Sequence, residues 1–153
     1  MPKSAKPYLL ILTLVALGIL TGLGGFTFFY AQGTSYLLDD PKACMNCHVM
    51  RDQYDGWNRS SHHAVATCNS CHTPKDIIGK YTTKALNGWN HSAAFTTGNF
   101  DETIRIHNFN AQIAHDNCVR CHKDVVSMMK TYAYPDEVNC VRCHGNVGHR
   151  SRM

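Results

Sequence analysis

Eight cysteines constrain this chain more than any other feature, because each one falls inside a Cys-x-x-Cys-His pentapeptide. The first motif holds Cys44, Cys47 and His48, and the second holds Cys68, Cys71 and His72. The third holds Cys118, Cys121 and His122, and the fourth Cys140, Cys143 and His144. Two thiols at this spacing can add to the two vinyl groups on one porphyrin edge, and the next imidazole then reaches the iron. Zinc would explain paired cysteines but not a histidine after every second one. A redox dithiol or a disulfide framework fails on the same repetition. No cysteine is left over. The pattern predicts a c-type cytochrome with four covalently bound haems.

Chain length sharpens that reading. Once the apolar N-terminus is set aside, about thirty residues remain per haem, too few for an ordinary apolar core. The porphyrins are therefore expected to be the core, with the chain wrapped around them. The predicted fold is a multihaem c-type cytochrome. It has one N-terminal transmembrane helix and a small haem-cored domain of short helices and long loops, with little or no sheet. The formal charge of +4 omits eight propionates, which would bring the loaded protein to about −4 if all ionise. Basic residues are scattered without a recognition motif, so no nucleic-acid partner is expected.

From Tyr8 to Tyr30 the chain carries no charge and is rich in Leu, Ile, Val, Gly and Phe. As a helix this stretch spans about 35 Å, enough for a hydrocarbon core of about 30 Å. It is longer than the apolar part of a cleaved signal peptide, and Phe29-Tyr30-Ala31 is a poor cleavage site. The expectation is a retained single-pass anchor over residues 1–32 and a tetrahaem domain over 33–153. Lys3 and Lys6 precede the span and Asp39 and Asp40 follow it. The positive-inside rule then puts the N-terminus in the cytoplasm and the haem domain in the periplasm of a bacterial inner membrane.

The motifs come in two close pairs, separated by the long interval 73–117. Within it, Pro74 to Trp89 reads as a helix whose Ile78, Tyr81, Ala85 and Trp89 form one apolar stripe. Tyr and Trp beside Lys80 and Lys84 suit a membrane surface, and packing on porphyrin faces would use the same stripe. Lys80 itself reads as a solvated or lipid-facing charge. Lys84 and His91 share a face if the helix continues past Gly88. The stretch from Phe95 to Asn117 reads as loop with at most one helix.

Four irons have eight axial positions, of which the motif histidines can fill four. The remaining candidates are His62, His63, His91, His107, His115, His149, Met50 and Lys84. Met50 makes the first motif Cys-x-x-Cys-His-x-Met, and a thioether ligand raises a haem's potential. Counting alone does not assign the others. Taken by themselves, His62, His107 and His115 read as solvated or propionate-bonding.

Several stretches together resemble the NapC/NrfH family of membrane-anchored multihaem quinol dehydrogenases. They are Cys44-Met45-Asn46-Cys47-His48-Val49-Met50, Ser61-His62-His63 before Cys68, Lys84, and Cys143-His144-Gly145-Asn146-Val147-Gly148-His149. The likeness is strongest to the branch formed by the small tetrahaem subunit of cytochrome c nitrite reductase. The resemblance implies that Met50 binds the first haem and displaces His48. It implies that His63 reaches the fourth haem opposite His144, and that His149 completes the third with His122. The second haem would keep His72 and take its distal lysine from the catalytic partner. Lys84 corresponds to the family's quinol-site lysine. His91 stands where some members carry an aspartate.

The implied function is oxidation of menaquinol in the lipid bilayer, with electrons passed to a periplasmic multihaem nitrite reductase that forms ammonia. Lys84 would hydrogen-bond a quinol oxygen and His91 accept a proton. The chain lacks the size and the Cys-x-x-Cys-Lys motif of the nitrite-reducing subunit itself. The same chemistry serving a nitrate reductase is one alternative. A tethered shuttle that never touches quinol is the other.

Overall fold

The computed structural model describes residues 5–101, 103–129 and 139–149. The chain divides into two compact units, Met1–Ser35 and Tyr36–Met153. Among the described residues the regular structure is helical, without a strand.

The first unit is dominated by α1, Ala5–Tyr30. Its apolar side chains face outward along its whole length. A helix apolar on every side needs an apolar solvent, and Lys6–Tyr30 is long and apolar enough to cross a membrane. Among its hydroxyls, that of Thr13 is satisfied within the helix, Oγ1 donating to the Leu9 carbonyl at 2.8 Å. After α1 the chain reverses through Gln32, whose φ of 52° lies in the left-handed region. It continues into a 3₁₀ turn at Gly33–Leu37. A Cβ on Gly33 would overlap the Phe28 ring, so a larger residue there would have to displace that ring.

The second unit contains α2 (Pro41–Cys44), a 3₁₀ turn at His48–Met50, α3 (Arg51–Asn58) and α4 (Cys68–His72). It continues with α5 (Ile77–Thr97), α6 (Asn108–Cys121), α7 (Lys123–Met129) and α8 (Cys140–Cys143). The helices are not uniformly short. Asp76 caps α5 by accepting from the Gly79 amide at 2.7 Å. The helix then runs eight residues past Trp89 and stops at Gly98, whose φ of 70° is the left-handed cap. Gly88 does not break it, because the Tyr36 ring packs where a side chain would stand. The stretch from Phe95 to Asn117, read as loop with at most one helix, holds the end of α5 and then α6 from Asn108.

Ile113 is the only buried apolar side chain among the described residues. The helices are instead joined by polar ties. Asn117, buried just before the third motif, donates its amide to the carbonyls of Cys71 at 3.0 Å and Thr73 at 2.9 Å. Those carbonyls lie at the C-terminal end of α4, where backbone acceptors lack helical partners. Arg120 adds bonds to Asn117 Oδ1 and to the Ser70 carbonyl. The second and third motifs are thereby locked together.

Candidate functional site

Each motif sits on a helical turn. Cys44 ends α2 and Cys47 begins the 3₁₀ turn that carries His48 and Met50. Cys68, Cys71 and His72 are α4 itself, stiffened by the Thr67 amide donating to Ser70 Oγ at 3.1 Å. Cys118 and Cys121 lie in the last turn of α6 with His122 at its C-cap, and Cys140 and Cys143 bound α8 with His144 at its C-cap. Within the first pair, Cys44 and Cys68 stand close enough for each to shift the other's thiol pKa, Cys44 down to about 7 and Cys68 up. Within the second, Cys140 Sγ lies 3.8 Å from His115 Nδ1. A domain that buries so little of its own apolar surface is a shell. Four thiol pairs, each followed by an imidazole, fit thioether-linked haem as what the shell encloses.

The histidines outside the motifs fall into distinct places. His63 packs on the Trp57 ring with centroids 5.0 Å apart. Trp57 is itself anchored by donating Nε1–H to the Ala66 carbonyl at 2.8 Å. His62, next in sequence, turns the other way: its ring lies 6.0 Å from that of His122, and its Nδ1 is 3.1 Å from the Val147 carbonyl. His149 lies 5.9 Å from His72. Burial and the neighbouring His149 push the His72 pKa down. Met50 is half-buried at the junction of the 3₁₀ turn and α3.

Lys84 and Lys80 meet at a carboxylate that the sequence reading used only as a topology marker. Lys84 Nζ donates to the Leu38 carbonyl at 2.7 Å and lies 3.5 Å from Asp39 Oδ1. Only 10 % of its side chain is exposed, so the ammonium is held rather than free. Lys80 pairs with the other Asp39 oxygen, which corrects its reading as a solvated charge. Asn69, from inside the second motif, donates to the same Leu38 carbonyl at 3.2 Å and to Asp39 at 2.7 Å. These bonds hold the Asp39 carboxyl below its ordinary range, the Lys80 bond contributing most. The Lys84 charge also acts on Cys44, which places it beside the first motif.

His91 does share the Lys84 face, since α5 continues past Gly88, but two turns put it about 10 Å further along the axis. Burial and then the nearby His107 push its pKa down, which keeps the imidazole in its neutral, proton-accepting form. Asp39 and Asn69 were beyond sequence reasoning, because no periodicity links residue 39 to 69, 80 and 84.

Comparison with known proteins matches residues 4–153 to the N-terminal region of the NapC/NirT cytochrome c family. The chain belongs to that family. Cytochrome c-type protein NrfH of Wolinella succinogenes is 42 % identical over 123 residues, covering 80 % of this chain and 70 % of the relative. The cytochrome c nitrite reductase subunit NrfH of Nitratidesulfovibrio vulgaris is 29 % identical over 60 % of this chain and 57 % of its own length. Among solved structures, a crystal structure of the cytochrome c nitrite reductase NrfHA complex bound to the HQNO inhibitor has a similar chain. It covers 94 % of this chain and 92 % of its own at 27 % identity, with a TM-score of 0.62. Family membership agrees with the motif scaffold and the helical fold.

Proposed function

We propose that this chain is the membrane-anchored tetrahaem subunit that oxidises menaquinol and delivers the electrons to a periplasmic multihaem nitrite reductase. Its relatives carry the name NrfH, and the similar solved chain belongs to a nitrite reductase complex. The observation that carries the quinol assignment is Lys84, a mostly covered ammonium held beside the first haem motif. α1 anchors the chain in the inner membrane with its N-terminus cytoplasmic. The stripe of Ile78, Tyr81 and Trp89, exposed at 80 %, 42 % and 73 %, faces the lipid boundary.

Quinol must lose two protons and two electrons. The four haems, when attached, supply one-electron acceptors in series. Lys84 donates a hydrogen bond to a quinol oxygen, and the Asp39 and Leu38 oxygens orient it to do so. His91 takes a proton, for which its lowered pKa leaves the ring neutral at working pH. Met50 would hold the iron of the first haem, and His72, His122 and His144 those of the haems attached at their own motifs.

Replacing Lys84 with Leu should lower turnover with a reduced menaquinone analogue by roughly tenfold to a thousandfold, the range for one or two charge-assisted hydrogen bonds. Reduction by dithionite and delivery to the partner should stay near normal. The His91 base is present above its lowered pKa, so wild-type turnover should fall as pH drops through a value below the ordinary imidazole pKa of about 6.5. His91→Gln should remove that limb. Wild-type rates and pH profiles in both variants would place quinol oxidation elsewhere.

A further inference from the structure

Residues 36–39 lie along α5 in the direction opposite to it, and three of the four meet that helix. Asp39 pairs with Lys80, and the Leu38 carbonyl accepts from the Lys84 ammonium at 2.7 Å. Tyr36 comes next, at Gly88. A Cβ built on Gly88 would stand 3.4 Å from Tyr36 Cε1 and 3.6 Å from Cδ1, so the ring edge rests against the helix there. Gly88 is four residues beyond Lys84 and three before His91, which puts all three positions on one face of α5. Tyr36 is therefore seated between the two residues to which the quinol chemistry is assigned. Its hydroxyl end faces a second neighbour: Cys47 and Cys44 both act on the phenol, which places it beside the first motif.

Lys84 and His91 are about 10 Å apart along the helix axis, whereas a proton passes directly only across a hydrogen bond of about 3 Å. A quinol hydroxyl held at Lys84 therefore needs an intermediate group to reach His91. A phenol hydroxyl accepts one hydrogen bond while donating another, which an ammonium cannot do. The Tyr36 side chain is 40 % exposed, open to an entering molecule. Burial first, and then Cys47 and Cys44, push the phenol pKa above its ordinary value, so the group keeps its proton and can donate it.

We propose that Tyr36 is a further catalytic residue, relaying the proton of the Lys84-bound quinol hydroxyl to His91. The proposal rests on the quinol reading given above. The quinol O–H bond breaks as its proton moves to the phenol oxygen, and the phenol's own proton passes to a ring nitrogen of His91. Tyr36 ends neutral and His91 protonated, and the electron leaves to the haem acceptors which that reading already supplies. Rotation of the phenol hydroxyl restores the relay for the second proton, once His91 has released the first to water.

Tyr36→Phe keeps the ring against Gly88 and removes only the hydroxyl. In the full-length tetrahaem protein, with a reduced menaquinone analogue as donor, it should lower kcat by about a hundredfold, the low end for a positioned proton-transfer group. KM, the four-haem mass and reduction by dithionite should stay near wild type. The slowing in heavy water should be larger in the variant, because proton transfer becomes the slow step. In the wild-type protein, turnover across mixtures of light and heavy water should curve, as two protons in flight require; a straight line overturns the relay without any variant. Wild-type kcat in Tyr36→Phe beside a slow Lys84→Leu overturns the relay and leaves the quinol reading standing. A loss in Tyr36→Leu but not in Tyr36→Phe overturns it in favour of packing by the ring. A raised KM at unchanged kcat overturns it in favour of a binding contact. Failure of the wild-type protein to oxidise the analogue brings down the relay and the quinol reading together.

Discussion

The two units of this molecule are stabilised by opposite means. The first unit is dominated by one helix, Ala5–Tyr30, whose apolar side chains are turned outward and which is long and apolar enough to cross a membrane. Tyr36–Met153 faces the opposite problem. It buries Ile113 and little else apolar among the described residues, and its helices are joined by amides, guanidinium groups and carbonyls. One unit is defined by its solvent and the other by what it encloses. Helices without a core are marginal in water, so the second unit should depend on its haems far more than the first.

The sharpest way to break the comparison is to prevent attachment. Replacing Cys68 and Cys71 with Ser should leave α1 membrane-inserted while the rest of the chain becomes protease-sensitive and loses most of its helical circular dichroism. Full protease resistance with the second haem missing would mean that the polar ties suffice alone.

A smaller effect tests those ties. Asn117→Ala leaves the Cys71 and Thr73 carbonyls buried without a donor, at a cost of about 2–3 kcal/mol. Thermal unfolding of the loaded protein should register it as a lowered Tm, with the four-haem mass unchanged. A Tm equal to wild type would show that haem attachment alone holds α4 to α6.

The smallest effect concerns Asp39, which is half exposed. Its carboxyl is held below the ordinary range when folded, so its contribution is complete above the unfolded value of about 4 and disappears as pH falls through the depressed one. Asp39→Asn should therefore lower stability at neutral pH by no more than about 1 kcal/mol, after solvent screening. Variant and wild type should converge in acid. A difference that grows toward low pH would contradict the sign. Quinol turnover in the same variant reports whether Asp39 orients Lys84, since it removes one of the two oxygens near that ammonium.

Some of this was legible from residue order because the causes are local. The α5 stripe follows from spacing along one helix, although the helix begins at Ile77, after the Asp76 cap, and not at Pro74. Its C-terminal boundary was set eight residues short, since Trp89 ended the apolar pattern while Gly98 supplied the actual stop. The different surroundings of His62 and His63 were not local. Adjacent residues in a turn point in different directions, and only the approach of Val147 and Trp57 separates them. Lys80 was misread for the same reason: its partner lies 41 positions earlier in a segment with no helical or strand period.

Sequence alone determined the attachment motifs, the long apolar helix and the sparse core, because each depends on side chains within a few residues of one another or on composition. The tertiary structure decided which histidines face each other and which carboxylate holds Lys84. Those are meetings of loops, and they depend on where the chain is carried between motifs. His62 and Val147 stand 85 positions apart. No local propensity encodes that distance; the closing of the second and third motifs on Asn117 and the return of the tail across them do.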